Sequence, residues 1–302
     1  MSKYVVVGAG ATGTSVMNQL VGAGHTVMIV SRSGASDLPN GAISVRGDAS
    51  DVVSLTETCE GAAAVFNCAN PPYHRWLTDW PPIATALLRA AESSGATLVT
   101  LSNLYAYGQP QGPMKPFDPL KSTLPKSVVR ATMWNDALAA HEAGRIHAAE
   151  VRASDFIGKG SQSLFERAIP ALRKGRAATV LANPDITHSW TYVDDVARTL
   201  VAVATDPSAW GRPWHALTNE PKTTREVLRA LTAEGRLPEP KIRVLRKGLI
   251  RTLGLFSPLL RELPKTAYQF ESPFVIDDSD TRLHFNLEPT PWPEIITKTW
   301  QQ

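Results

Sequence analysis

Along the first hundred residues, short apolar β-branched runs alternate with longer stretches of mixed polarity. The runs YVVVG, TVMIV, AISV, AVFNCA and TLVTLS have the length and composition of buried strands. Between them, apolar positions recur with a helical period around residues 13–23, 50–58 and 80–94. Regular alternation of strand and helix predicts a parallel sheet covered on both faces, because parallel strands need a crossover and a helix supplies it. A further helix is predicted near 125–143, leading to the strand RIHAAEVRAS.

The rhythm breaks near residue 156. The chain there becomes irregular and richer in Gly, Pro and charge, regains a strong helix pattern in WTYVDDVARTLVAVATD, and ends in short mixed elements with prolines. The pattern predicts an α/β fold: a Rossmann-type, doubly wound parallel sheet with a smaller C-terminal lid that binds substrate. The expected division is 1–155, with about 189–218, for the dinucleotide domain, and 156–188 with 219–302 for the lid. No internal repeat or low-complexity tract is visible.

Composition narrows the class. The 302 residues are 43% hydrophobic and 20% charged, as in an ordinary soluble globular protein, and a net charge of +3 leaves no electrostatic footprint for nucleic acid. Basic residues cluster only between Lys241 and Arg251, read here as a solvated helix face. The stretch GLIRTLGLFSPLL is broken by Arg251 and a proline, so no membrane span is expected. Two cysteines, Cys59 and Cys68, make no disulfide framework, and none of the seven histidines has metal-ligand spacing, so no metal is expected. The start MSKYVVVGAG enters a strand directly, which with the two cysteines predicts a cytoplasmic protein, a monomer or homodimer acting on a small molecule.

The strongest chemical signal follows the first strand. Gly8, Gly10 and Gly13 fall where a strand turns into a helix: the first permits a tight turn, the second lets backbone approach a pyrophosphate, and the third lets helix and sheet pack closely. Ala11 and Thr12 then open the helix whose free N–H groups would meet the phosphates. The second strand ends in Ser31, Arg32 and Ser33, where an NAD enzyme usually carries an acid. A guanidinium between two hydroxyls suits a 2′-phosphate, so NADP is expected over NAD. Asp48 either accepts from an adenine amino group or caps the next helix, and Ala69 and Asn70 after the fourth strand complete the expected cofactor set.

Taken in order, VVVGAGATG, RGDASD, FNCANPP, LSNLYAYG, VRASDFIGKG and WTYVDDVA resemble the extended or atypical branch of the short-chain dehydrogenase/reductase superfamily, the group with NAD-dependent epimerases and dehydratases. That resemblance covers most of the chain, although the first glycine is displaced by one. It implies a Ser or Thr after the fifth strand and a Tyr and Lys four apart on the next helix, with the ammonium lowering the phenol's pKa. In this chain Asn103, Lys126 and Arg130 stand at those positions, so all three residue types are changed.

Four-residue spacing keeps Lys126, Arg130 and Trp134 on one helix face. Arg130 is expected to position ribose hydroxyls or a substrate carboxylate, since arginine does not act as an acid near neutrality. Tyr105 is the expected surrogate acid, with Asn103 beside it to hydrogen-bond a substrate oxygen. Tyr107 matches the family's Tyr-Gly pair and reads as a packed aromatic at the substrate side. Tyr73 and His74 lie in a loop that the resemblance places toward the nicotinamide. Where nucleotide-sugar members carry residues for substrate phosphates, this chain has Asp155 and His188, with Arg152 retained; a carboxylate there opposes a diphosphate. Trp190 and Tyr192 read equally as pocket walls or lid core, and Asp194 and Asp195 as helix N-caps.

The expected function is NADP(H)-dependent reduction of a carbonyl or imine on a small non-nucleotide substrate. Alternatives are an NAD-dependent epimerase or dehydratase with tightly held cofactor, and a non-catalytic NADP-sensing regulator.

Overall fold

In the computed structural model, which describes residues 1–180, 183–245 and 263–301, the first apolar run forms β1 (Lys3–Val7) and continues through Gly10 into α1 (Ala11–Gly22). Then come β2 (Thr26–Ser31), β3 (Ala42–Arg46), α2 (Val52–Cys59), β4 (Ala62–Asn67), α3 (Trp76–Ser94), β5 (Thr97–Ser102), α4 (Pro125–Glu142) and β6 (Ala148–Arg152). Helix α3 starts a turn earlier than its apolar period predicts. The helix runs through Pro81 and Pro82 and ends at Gly95, whose φ of 70° reverses the chain.

Past residue 154 come β7 (Asp155–Ile157), α5 (Leu164–Arg173), β8 (Ala178–Val180), β9 (Thr187–His188), β10 (Trp190–Tyr192), α6 (Val193–Thr205) and β11 (Pro213–His215). Strand β11 returns to the main sheet, whose order is β11-β6-β5-β4-β1-β2-β3 with every pairing parallel. Val5, Val6 and Val7 are all buried because both faces are covered, each contributing roughly 1.5–3 kcal/mol. Val6 points with Phe66 toward α1 and α6, while Val5 and Val7 meet Leu55, Trp80 and Leu87 of α2 and α3.

The remainder is β12 (Lys222–Thr223), α7 (Thr224–Glu234), β13 (Ile242–Val244), α8 (Ser279–Phe285) and α9 (Trp292–Trp300). Helices α5, α7 and α9 surround a second core of Phe165, Leu172, Trp190, Leu228, Leu231 and Ile295. The region expected to be irregular or of short mixed elements thus holds helices α5, α7 and α9 as well. Two of them carry side-chain start signals: Ser163 accepts from the Glu166 N–H, and Thr223 with Glu226 forms a reciprocal capping box. Helix α8 packs back on the main sheet instead, with Thr281 Oγ1 donating to the His215 carbonyl at 2.6 Å.

Two local expectations are corrected. Asp194 and Asp195 do not cap α6, because the helix begins at Val193 and both fall inside its first turn. Asp194 instead accepts from Ser15 Oγ at 2.6 Å, tying α6 to α1, and Asp195 accepts from Thr290 N and Oγ1 at 2.8 and 2.7 Å. The basic run is not a helix at its start: Ile242–Val244 is a strand paired with β8, and residues from 246 to Arg251, with all of GLIRTLGLFSPLL, lie outside the described residues. Among the described residues no helix is long and apolar enough to cross a membrane.

Candidate functional site

The β1–α1 turn is built so that two of its three glycines accept no side chain. Gly8 has φ 109°, and a Cβ there would lie 2.5 Å from the Cys68 carbonyl oxygen; one on Gly13 would lie 1.9 Å from the Gly8 carbonyl oxygen. Gly10 differs, facing open space. It is the N-cap of α1 and offers no side-chain cap, so the first-turn N–H groups, including those of Ala11 and Thr12, point outward unmet by any side chain of their own cap. This is a cradle for an anionic group at a helix N-terminus.

At the ends of β2 and β3, Ser31 pairs in register with Arg46. Ser31 Oγ is buried without a hydrogen-bond partner, whereas Arg32 and Ser33 are exposed. Arg46 Nε donates to the Arg32 carbonyl at 3.2 Å, which sets a second guanidinium at the same corner. Asp48 accepts from Ser50 N and Oγ at 2.9 and 2.7 Å; these bonds, with Arg32 contributing least, hold its carboxyl below the usual range. The cap of α2 is Asp51, which accepts from Val53 and Ser54. Ala69 N donates to Asn67 Oδ1 at 3.3 Å, and Asn70 is exposed.

Beyond β5, Asn103 Oδ1 accepts from Tyr105 N at 3.0 Å, shaping the turn that aims the phenol. Tyr105 packs on Trp76 and Tyr73, with ring centres 5.9 and 6.3 Å apart, and its hydroxyl is hydrogen-bonded to that of Tyr73. Burial, then the charge of Asp155, raises the Tyr105 phenol well above its ordinary value. Lys126, at the start of α4, places Nζ 3.4 Å from the Tyr73 ring centre. Tyr73, Tyr105 and Lys126, far apart in sequence, therefore meet in one cleft; His74 next to Tyr73 is exposed.

Across the cleft stands Asp155, about one-third exposed. Its Oδ2 lies 2.8 Å from Nε2 of the buried His188, whose Nδ1 lies 3.2 Å from the Gln269 carbonyl. The His188 ring stacks on Phe270 at 4.8 Å and on Phe274 at 5.3 Å and lies tilted against Trp190 at 4.3 Å. Tyr268 is within the field of Asp155, and burial and that charge push its phenol up.

Five residues expected at the site point inward. Arg130 is buried, donates through Nη2 to the Leu101 carbonyl at 2.6 Å and lies over the Trp80 ring at 4.4 Å; burial lowers it to about 10. Trp134 lines a small internal cavity with Asn67 and Glu150. Tyr107 is buried, its hydroxyl accepting from Arg152 Nη1 at 2.7 Å and donating to the Pro116 carbonyl at 3.0 Å. Trp190 is core, with Nε1 donating to the Lys222 carbonyl at 2.8 Å, and Tyr192 is buried beside it in the lid core. Sequence reading missed Arg46, Tyr268 and Gln269. Arg46 had a signal, being the basic end of a predicted strand beside Arg32, but Gln269 reaches His188 across 81 residues and no spacing rule spans that. Among the described residues no group of three or more His, Cys, Asp or Glu could hold a metal ion.

The family model described as NAD dependent epimerase/dehydratase family matches residues 4–215. No curated protein sequence matches. Among solved structures, dTDP-glucose 4,6-dehydratase from Bacillus anthracis str. Ames, in complex with NAD, is similar over 100% of this chain and 96% of its own, at 16% identity and a TM-score of 0.81. UDP-glucose 4-epimerase from Thermotoga maritima, with UDP-glucose, is similar over 99% and 97%, at 17% identity and a TM-score of 0.79. Pal from Bacillus thuringiensis is similar over 99% and 98%, at 16% identity and a TM-score of 0.81. At such identities the likeness establishes the fold.

Proposed function

The chain belongs to the NAD dependent epimerase/dehydratase family, and we propose that it is a hydride-transfer enzyme that binds a nicotinamide dinucleotide at the β1–α1 turn. Its substrate is a small molecule held between the carboxyl edge of the sheet and the lid. The observation carrying this reading is the glycine turn. Gly8 and Gly13 have no room for a Cβ, while Gly10 opens onto free space before an uncapped helix, which fits a pyrophosphate.

A bound nicotinamide would supply the acceptor and donor of hydride. The course favoured by family membership is oxidation followed by reduction on one substrate, with no net redox change. As hydride leaves a carbinol carbon, its hydroxyl proton must leave too, and both must later be returned. Lys126 is our candidate for that proton transfer, since an amine can take and release a proton at one atom. Tyr105 does not serve as the base, because burial keeps its phenol protonated. Its role is to donate a hydrogen bond to the substrate oxygen.

A second reading is net reduction of a carbonyl or imine by NADPH. Two observations favour it: the guanidiniums of Arg32 and Arg46 share the corner where a 2′-phosphate would sit, and a protonated Tyr105 is suited to donate to a nascent alkoxide. Nucleotide released from the denatured, purified protein separates the two. Retained NAD favours the transient-oxidation course; a dissociable nucleotide with tighter binding of NADPH, weakened in Arg32→Glu, favours net reduction. Calorimetry showing no heat with NAD, NADH, NADP or NADPH would overturn both.

A further inference from the structure

Two of the nitrogen-bearing side chains that lie near Asp155 are already committed. Arg152, three residues before Asp155, is buried: Nε donates to Glu150 at 2.6 Å, and Nη1 donates to the Tyr107 hydroxyl and the Pro116 carbonyl at 2.7 and 2.9 Å. His188 is committed as fully. Its two ring nitrogens lie against the Asp155 carboxylate and the Gln269 carbonyl, so neither is left for a ligand. The ring is 1% exposed and packed against Phe270, Phe274 and Trp190.

Asp155 is what this pair shows to the cleft. One carboxylate oxygen is held by His188, the side chain remains 37% exposed, and its charge acts on the phenols of Tyr105 and Tyr268. A carboxylate fixed in this way accepts hydrogen bonds and offers none. A phosphate, which has only oxygens to present near neutral pH, meets a like charge at Asp155. A hydroxyl finds an oriented acceptor whose own charge is balanced by the imidazole N–H behind it, and the phenol rings of Tyr73, Tyr105 and Tyr268 provide flat apolar walls with polar rims. Because hydride exchange already places a carbinol at the reacting carbon, the group that meets Asp155 is a second hydroxyl.

Resting on the reading of this cleft as the substrate site, we propose that Asp155, oriented by His188, is the substrate-selecting residue and that it selects an unphosphorylated diol. One hydroxyl sits on the carbon that exchanges hydride, beside Tyr105 and Lys126, and its neighbour donates to the free oxygen of Asp155. His188 is a positioning residue, acting only through Asp155.

The test titrates the full-length protein, with and without NADH, with two matched pairs of probes: myo-inositol against myo-inositol 1-phosphate, and glucose against glucose 6-phosphate, with UDP-glucose as a fifth. The expected result is that each unphosphorylated polyol binds at least about tenfold tighter than its phosphate, and that Asp155→Asn, whose amide both donates and accepts, reduces that ratio by about tenfold. Asp155→Ser, which removes the charge with less bulk, should collapse the ratio in the same direction, and thermal unfolding confirms that either variant is folded. Tighter binding of a phosphate or of UDP-glucose, an unchanged ratio in both variants, or no binding of either class at about 10 mM would overturn the proposal. NADH binding, read in the same samples by fluorescence, reports separately on the cofactor reading, so the two can fail independently.

Discussion

The Lys126 ammonium lies 3.4 Å from the centre of the Tyr73 ring, joining the first turn of α4 to the loop after β4. A cation over an aromatic face in a largely dehydrated site is worth about 0.5–2 kcal/mol. Tyr73→Phe keeps the face and loses the hydroxyl; Tyr73→Leu loses both. Lys126 should therefore react with an amine-directed label several-fold faster in Tyr73→Leu than in the parent, and little faster in Tyr73→Phe. Peptide mass spectrometry of the labelled protein reads this directly, and equal rates in all three proteins would show that the ring does not hold the ammonium.

The glycines of the first turn should separate folding from binding. A methyl on Gly13 meets the Gly8 carbonyl oxygen at 1.9 Å, so Gly13→Ala forces helix and turn apart and should cost at least about 2 kcal/mol in urea unfolding. A methyl on Gly10 meets nothing within 4 Å in the protein. Gly10→Ala should unfold at nearly the parental urea concentration while binding nicotinamide dinucleotide about tenfold more weakly, since the added group occupies ligand space. Parental nucleotide affinity in Gly10→Ala would place the pyrophosphate elsewhere.

Much of the first body is legible in the sequence because its interactions are local. The runs at Lys3–Val7 and Thr26–Ser31 have the apolar density of strands buried on both faces, and Gly8, Gly10 and Gly13 mark a strand-to-helix turn by their spacing alone. The lid was hidden for the opposite reason. Its strands are two or three residues long, too short for period-two alternation, and its core joins Phe165, Trp190, Leu228 and Ile295 across more than a hundred residues. The site divides the same way. Tyr105 and Lys126 could be singled out from their places after β5 and on α4, but α4 turns Arg130 inward onto Trp80, a choice set by tertiary packing. The pairing of Asp155 with His188 depends on β7 lying beside β10 and on the Gln269 segment closing over the ring.

His215 makes stability depend on pH in a defined direction. Burial, outweighing the Asp277 carbonyl bonded to Nδ1, lowers it from 6.5 to about 4. The unfolded chain therefore binds a proton between pH 6.5 and 4 that the folded chain refuses. The contribution is fully present above about pH 6.5 and is lost as pH falls toward 4, amounting to about 3 kcal/mol over the window. Comparing urea unfolding of the parent and His215→Asn at several pH values isolates it. The parental curve should fall more steeply below pH 6.5, and parallel curves would mean that the ring titrates normally.

The deepest charge cluster gives the sharpest stability prediction. Glu150 accepts from Arg152 at 2.6 Å with both side chains 3% exposed, and the same carboxylate acts on the buried guanidinium of Arg130. One anion thus compensates two cations beneath the cleft, while Tyr107 and Pro116 accept from Arg152 Nη1 and Leu101 accepts from Arg130 Nη2. Glu150→Gln keeps the shape but strands both positive charges, which should cost about 3–5 kcal/mol. Arg152→Met alone leaves Glu150 still facing Arg130 and should cost less. Combining the two removes the Glu150–Arg152 pair, and the double variant should be more stable than Glu150→Gln alone, because one of the stranded cations is gone. The urea midpoints of the four proteins form a double-mutant cycle; additive costs would show that the pair's charges are screened from each other.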